Sequence, residues 1–150
     1  MSDITFRNAT PDDAEQLSTL LGELGYPTPA SEVPARLAAL TALEKNLVLV
    51  AASEEKAVGL ITVMIYPSIH ARDPVSLITS LVVSSEMRGH GIGSSLVARA
   101  EEWAAENGAG RLTVGSGLQR VETHLFYEQR GYKRSGIRFA KLLNENSAKR

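Results

Sequence analysis

The sequence predicts a mixed α/β fold, one sheet with helices on both faces. Short β-branched runs alternate with amphipathic stretches at helical spacing along the chain. One run, 75–84 (VSLITSLVVS), is apolar at nearly every position, as a central strand covered on both faces would be. The 150 residues, 43% hydrophobic and 22% charged, suit a single domain, 1–150, with a real core.

The elements follow in order. Residues 4–9 (ITFRNA) alternate and read as a strand. In the TPDD that follows, Thr10 is an N-cap, Pro11 takes the first helical position, and two acids fill the first turn. That helix runs to about Leu24, with Ala14, Leu17, Leu20, Leu21 and Leu24 on one face. GYPTPAS breaks the chain, and Ser31 caps a second helix over 32–43 with Val33, Leu37, Leu40 and Leu43 apolar. NLVLVAAS and AVGLITVMIY form a hairpin around the polar EEKA turn. PSIHARDP is a loop before the central strand. From Ile92 to Asn107 the residues Ile92, Leu96, Val97, Ala100, Trp103 and Ala104 share a helical face, and NGAG stops the helix. RLTVGSG is a strand, RVETHLFYEQRG a short helix closed by Gly131, and YKRSGIRFAKLL holds one or two last strands.

Composition excludes several function classes. A net charge of −1, from 16 basic and 17 acidic residues, gives no support for a nucleic-acid or membrane-surface binder. Without cysteine there is no disulfide, thiolate zinc site or cysteine nucleophile. The apolar runs are too short to span a membrane. MSDITFRNAT lacks the basic and apolar regions of a signal peptide, so the expected location is cytoplasmic.

The segment MRGHGIGSSLV, Met87 to Val97, carries the chemistry. It places Gly89, Gly91 and Gly93 between the central strand and a helix, although glycine weakens helices. A helix N-terminus offers unpaired N–H groups and a partial positive charge, which suits an anion. Bare glycines let a phosphate approach, while Arg88 adds charge and Ser94 and Ser95 add hydroxyls. The alternative is a turn with glycines for sterics alone. A P-loop would need lysine after its last glycine, and here Gly93 is followed by Ser94. A Rossmann fingerprint would need glycine at 94 or 96, which are serine and leucine. Another phosphate-bearing cofactor is implied.

LVVSSEMRGHGIGSSLV resembles motif A of the GNAT superfamily of acyl-CoA-dependent N-acetyltransferases, and LFYEQRGY resembles that family's later aromatic segment. With the element order, the resemblance spans nearly the whole chain. It implies a mostly antiparallel sheet with helices on both faces and a central strand splayed at a bulge. It implies that the backbone of Leu81, Val82 and Val83 pairs with the pantetheine arm of acetyl-CoA. The pyrophosphate then lies on Arg88, Gly89, His90, Gly91, Ile92 and Gly93, with Ser94 helping. Tyr127 is the implied acid for the departing thiolate; its alternative is a packing tyrosine beside Phe126. His124, three residues earlier, shares its helix face and is a candidate cofactor contact. No metal is implied.

VSLITSLVV contains no Asp, Glu or His, unlike family members with a carboxylate base there. His70, His124, Glu86 and Glu122 remain candidate bases, and Arg120 is a weak phosphate candidate. The implied reaction moves acetyl from acetyl-CoA to an amine, a small molecule first, by direct attack in a ternary complex. A protein or peptide acceptor, or a non-catalytic CoA sensor, are the alternatives. Tyr26 and Tyr66 are candidates for the acceptor pocket, or packing aromatics. Late strands, here GIRFAKLL, are a possible homodimer edge.

Overall fold

The computed structural model describes residues 3–115 and 121–144. They fall into two compact units, Met1–Thr113 and Val114–Arg150.

In the first unit, β1 (Ile4–Asn8) is followed by a 3₁₀ turn, Pro11–Asp13, and α1 (Ala14–Leu24). Next come α2 (Val33–Thr41), β2 (Asn46–Ser53), β3 (Lys56–Tyr66), β4 (Val75–Val83), α3 (Ile92–Glu106) and β5 (Arg111–Val114), whose last residue opens the second unit. The sheet order is β1-β2-β3-β4-β5, and the first four strands are antiparallel. The Gly110 amide donates to the Pro74 carbonyl, and the Thr113 hydroxyl to that of Ser76. These contacts advance the same way on both strands, so β5 runs parallel to β4, an arrangement the α3 crossover permits.

The two faces of the sheet bury different helices. Leu17, Leu20, Val33 and Leu37 of α1 and α2 pack with Val48, Val50, Leu60 and Val82. On the other face, Ile92, Leu96, Val97, Ala100 and Ala104 of α3 are buried, as their spacing predicts, and Trp103 is half-buried. Gly59 allows α3 to lie close. A Cβ there would come 3.2 Å from both Ile92 Cγ2 and Leu96 Cδ1, so the first turn of α3 is seated on the β3 backbone.

The start of α1 is held by charge. Arg7 donates from both guanidinium nitrogens to the buried Asp13 carboxylate, at 2.9 and 2.8 Å, and the Thr10 amide donates to it at 2.8 Å. The β2–β3 turn puts Glu54 and Glu55 at φ 51° and 70°, and Arg7 also donates to the Glu55 carbonyl.

Two expectations need correction. Ser31 does not cap the second helix. It lies within a 3₁₀ turn, Ala30–Glu32, and α2 begins at Val33, with Pro34 where a missing N–H costs no intrahelical bond. That helix stops at Thr41, which leaves Leu43 58% exposed.

The second unit contains α4 (Val121–Gln129). Residues 132–144 form no strand, contrary to the alternation in YKRSGIRFAKLL. Alternation needs a neighbouring backbone to become a ladder, and Ile137, Phe139 and Leu143 are instead largely exposed. Residues 116–117 of the predicted RLTVGSG strand, and Arg120, lie outside the described residues.

Candidate active site

Two features meet at the end of β4. The first is a bulge. Thr62 pairs with Ser80 and Val63 with Ile78, so Thr79 is an extra residue in β4. Beyond it Leu81, Val82 and Val83 pair with Ile61, Leu60 and Gly59 of β3. On the opposite edge, β5 contacts the start of β4 and ends at Val114, so no described strand accompanies Leu81–Val83 there. The splayed strand that the family resemblance implies has this form.

The second feature is the glycine turn. A 3₁₀ turn, Ser85–Met87, leads into an extended Arg88 and then the loop. Gly89 and Gly91 adopt φ of +83° and +77°, a left-handed backbone that side chains disfavour, and a Cβ at either would meet nothing within 4 Å. The glycines therefore serve backbone conformation, and the space above them is open. Gly91 is the N-cap of α3 and carries no side chain to bond its amides. The Ser95 amide donates to the Gly91 carbonyl, so the amides of Ile92 and Gly93 precede the first intrahelical bond. The helix dipole adds partial positive charge there. Such a helix start can receive an anion. His90 is exposed, Ile92 is buried under the turn, and Gly93 and Ser94 are half-buried.

Arg88 has partners that its sequence position does not reveal. Its Nε donates to the Val83 carbonyl at 3.2 Å, and its NH2 lies 3.5 Å from Glu23 Oε1 of α1. The same carboxylate oxygen accepts the Ser85 amide at 2.9 Å. Glu23 thus ties the last turn of α1 to the loop. It lies 62 residues from Ser85, and no local pattern signals the contact.

In the second unit, Tyr127 is buried and its ring meets Phe126 and Tyr132 edge-on at 5.1 and 5.4 Å. The end of α4 explains that arrangement. The Tyr132 amide donates to the Tyr127 carbonyl and that of Gly131 to Glu128, a Schellman closure with Gly131 at φ +89°. The ring contact between Tyr127 and Tyr132 is its hydrophobic partner. Arg130 stacks on Phe126 at 3.7 Å and donates to its carbonyl. Burial pushes the Tyr127 phenol up to about 12, so it keeps its proton at neutral pH. His124 is half-buried one turn earlier.

The Acetyltransferase (GNAT) family model matches residues 14–132. The chain belongs to the GNAT family. It is an N-acetyltransferase by that membership, an acyltransferase enzyme. It is similar to the aminoalkylphosphonate N-acetyltransferase of Salmonella typhimurium, 33% identical over 91% of this chain and 90% of that protein. Among solved structures, it is similar to a GNAT family acetyltransferase of Staphylococcus aureus, with 28% identity and a TM-score of 0.79. That match covers 95% of this chain and all of the other. A Bacillus halodurans protein described as a transcriptional regulator matches at 31% identity and a TM-score of 0.81, over 93% of this chain and all of its own.

The four candidate bases of this GNAT protein lie on three different elements. His70 bonds Ser68 in the exposed β3–β4 loop, Glu86 is exposed in the 3₁₀ turn, and Glu122 and His124 lie on α4. Tyr66 sits at the end of β3 and Tyr26 follows the Gly25 cap of α1; both are partly exposed. Among the described residues no cluster of histidine and carboxylate side chains could hold a metal ion, and no helix is long and apolar enough to cross a membrane.

Proposed function

We propose that the protein transfers the acetyl group of acetyl-CoA to the amino group of a small molecule, by direct attack while both substrates are bound. Residues 14–132, the span of the family match, run through both compact units, which supports their acting as one catalytic domain. The observation that carries the donor half is the glycine turn, where left-handed backbone, open space and an uncapped positive helix end coincide.

Acetyl-CoA supplies an acetyl group activated as a thioester. On this reading the amides from Gly89 to Ser94 and the Arg88 guanidinium hold the diphosphate. The backbone of Leu81, Val82 and Val83 receives the pantetheine arm as an added strand. Tyr127 Oη holds a proton and delivers it to the departing sulfur, with His124 flanking it. The chain has no cysteine, so the acetyl group takes no thiol relay through the protein. For the acceptor, the similarity to the Salmonella enzyme supports an aminoalkylphosphonate or a comparable small amine.

The test is direct. Calorimetry with CoA should give binding, and an amine panel including aminoalkylphosphonates should give CoA release that Gly91→Trp abolishes. Absence of CoA binding overturns the donor assignment. A binding-only role, which the description of the Bacillus halodurans neighbour raises, predicts tight CoA binding and no turnover with any amine. Pairing of two copies through residues 136–143 belongs to the same proposal, and sedimentation analysis tests it.

A further inference from the structure

An exposed hydroxyl in the middle of a non-edge strand calls for an account. β4 is flanked by β3 and β5, yet Thr79 at its bulge is exposed, while Thr62 beside it is buried. Thr62 pairs with Val48, which belongs to the core cluster under α1 and α2, so the hydroxyls lie on that face of the sheet.

The hydrogen bonds determine what this hydroxyl pair offers. The two hydroxyl oxygens are 2.5 Å apart, and Thr79 Oγ1 also lies 3.3 Å from the Thr62 carbonyl. Either hydroxyl can donate in that pair, and the arrangement that satisfies both has the buried Thr62 hydroxyl donating to Thr79 Oγ1. The Thr79 hydroxyl then donates to the Thr62 carbonyl. Thr79 Oγ1 has spent its one donor and one of its two lone pairs. The remaining lone pair is left to accept a further bond, on an exposed residue two positions before Leu81.

We propose that Thr79, oriented by Thr62, is a positioning residue for the acceptor's amino group, accepting one of its N–H bonds at the β4 bulge. This rests on the transferase reading above. A hydroxyl is too weak a base to keep the amine's proton, so Thr79 directs the nitrogen and the proton leaves by another route. The site therefore favours an acceptor with at least two N–H bonds when neutral, a primary amine, because one is held here and another is lost in reaction.

Steady-state kinetics with 2-aminoethylphosphonate and its N-methyl derivative test this, together with calorimetry of CoA binding. Thr79→Val should raise the acceptor KM about tenfold, the scale of one lost hydrogen bond to a charged or polar partner. CoA affinity should stay unchanged, the thermal midpoint should fall by about a few degrees because the buried Thr62 hydroxyl loses its acceptor, and Thr79→Ser should restore both the midpoint and the acceptor KM. The wild type should prefer the primary amine, and Thr79→Val should lose that preference. Wild-type turnover with an unchanged acceptor KM in Thr79→Val overturns the role of Thr79 alone. CoA binding without turnover of any amine overturns the acceptor reading and this role with it.

Discussion

Arg88 and Glu23 form an ion pair at 3.5 Å, and the same arginine donates to the Val83 carbonyl. A residue expected to meet a phosphate is thus held at the end of β4 by α1. The Arg88 side chain is 59% exposed and that of Glu23 24%, so the pair contributes little to stability. Its weight lies in aiming the guanidinium. Arg88→Ala should therefore leave the thermal midpoint nearly unchanged and weaken CoA binding about tenfold, the loss of one charge-assisted contact. Calorimetry beside a thermal melt measures both. Equal CoA affinity in the variant would remove Arg88 from the diphosphate site.

Tyr127→Phe should lower kcat about a hundredfold and leave CoA affinity as it was, since a general acid acts in the transition state. The pH profile adds a second check. An ordinary phenol titrates near 10.0 and this one near 12. The acid form therefore persists above pH 10, and kcat should show no alkaline fall between pH 9 and 10.5 attributable to Tyr127. A fall centred near pH 10 would contradict its burial.

The Arg7–Asp13 pair makes a different kind of prediction. Hydrogen bonds from Arg7, then from the Thr10 amide, hold the Asp13 carboxyl below its ordinary value of 3.8. A lowered folded pKa stabilises the fold fully above that ordinary value, and the contribution fades as pH falls through the lowered one. Asp13→Asn should cost about 1–3 kcal/mol at neutral pH, tempered because the Arg7 side chain is 35% exposed. The gap between variant and wild type should close as the pH is taken well below 3.8. Urea titrations at neutral and acidic pH read this out.

Much of the first unit was legible because its signals are local. Alternation bounded Asn46–Ser53 correctly, the Thr10-Pro11 pair marked the entry to α1, and apolar spacing identified the buried face of α3. The glycine turn was legible because left-handed backbone demands glycine. The bulge was expected only through the family resemblance, and Thr79 was not singled out. A bulge is a one-residue mismatch between two strands, and neither strand alone records it. Glu23 was invisible for a related reason, since its partners lie far along the chain. The last strands failed because alternation is only half of a strand, the other half being a neighbour. Ser31 failed because it lies within the 3₁₀ turn Ala30–Glu32, and Pro34 is accommodated in the first turn of a helix that begins at Val33.

The carbonyl of Tyr127 closes the end of α4, while its phenol is the candidate acid. A lesion in the closure is thus a lesion in the acid's aim. A random mutagenesis screen scored on acetylation would return Gly131 alongside the glycine turn, although Gly131 need touch neither substrate. Its defects would look catalytic in the assay and conformational in a crystal, and a worker mapping the active centre from such a screen would draw its boundary one helix end too wide.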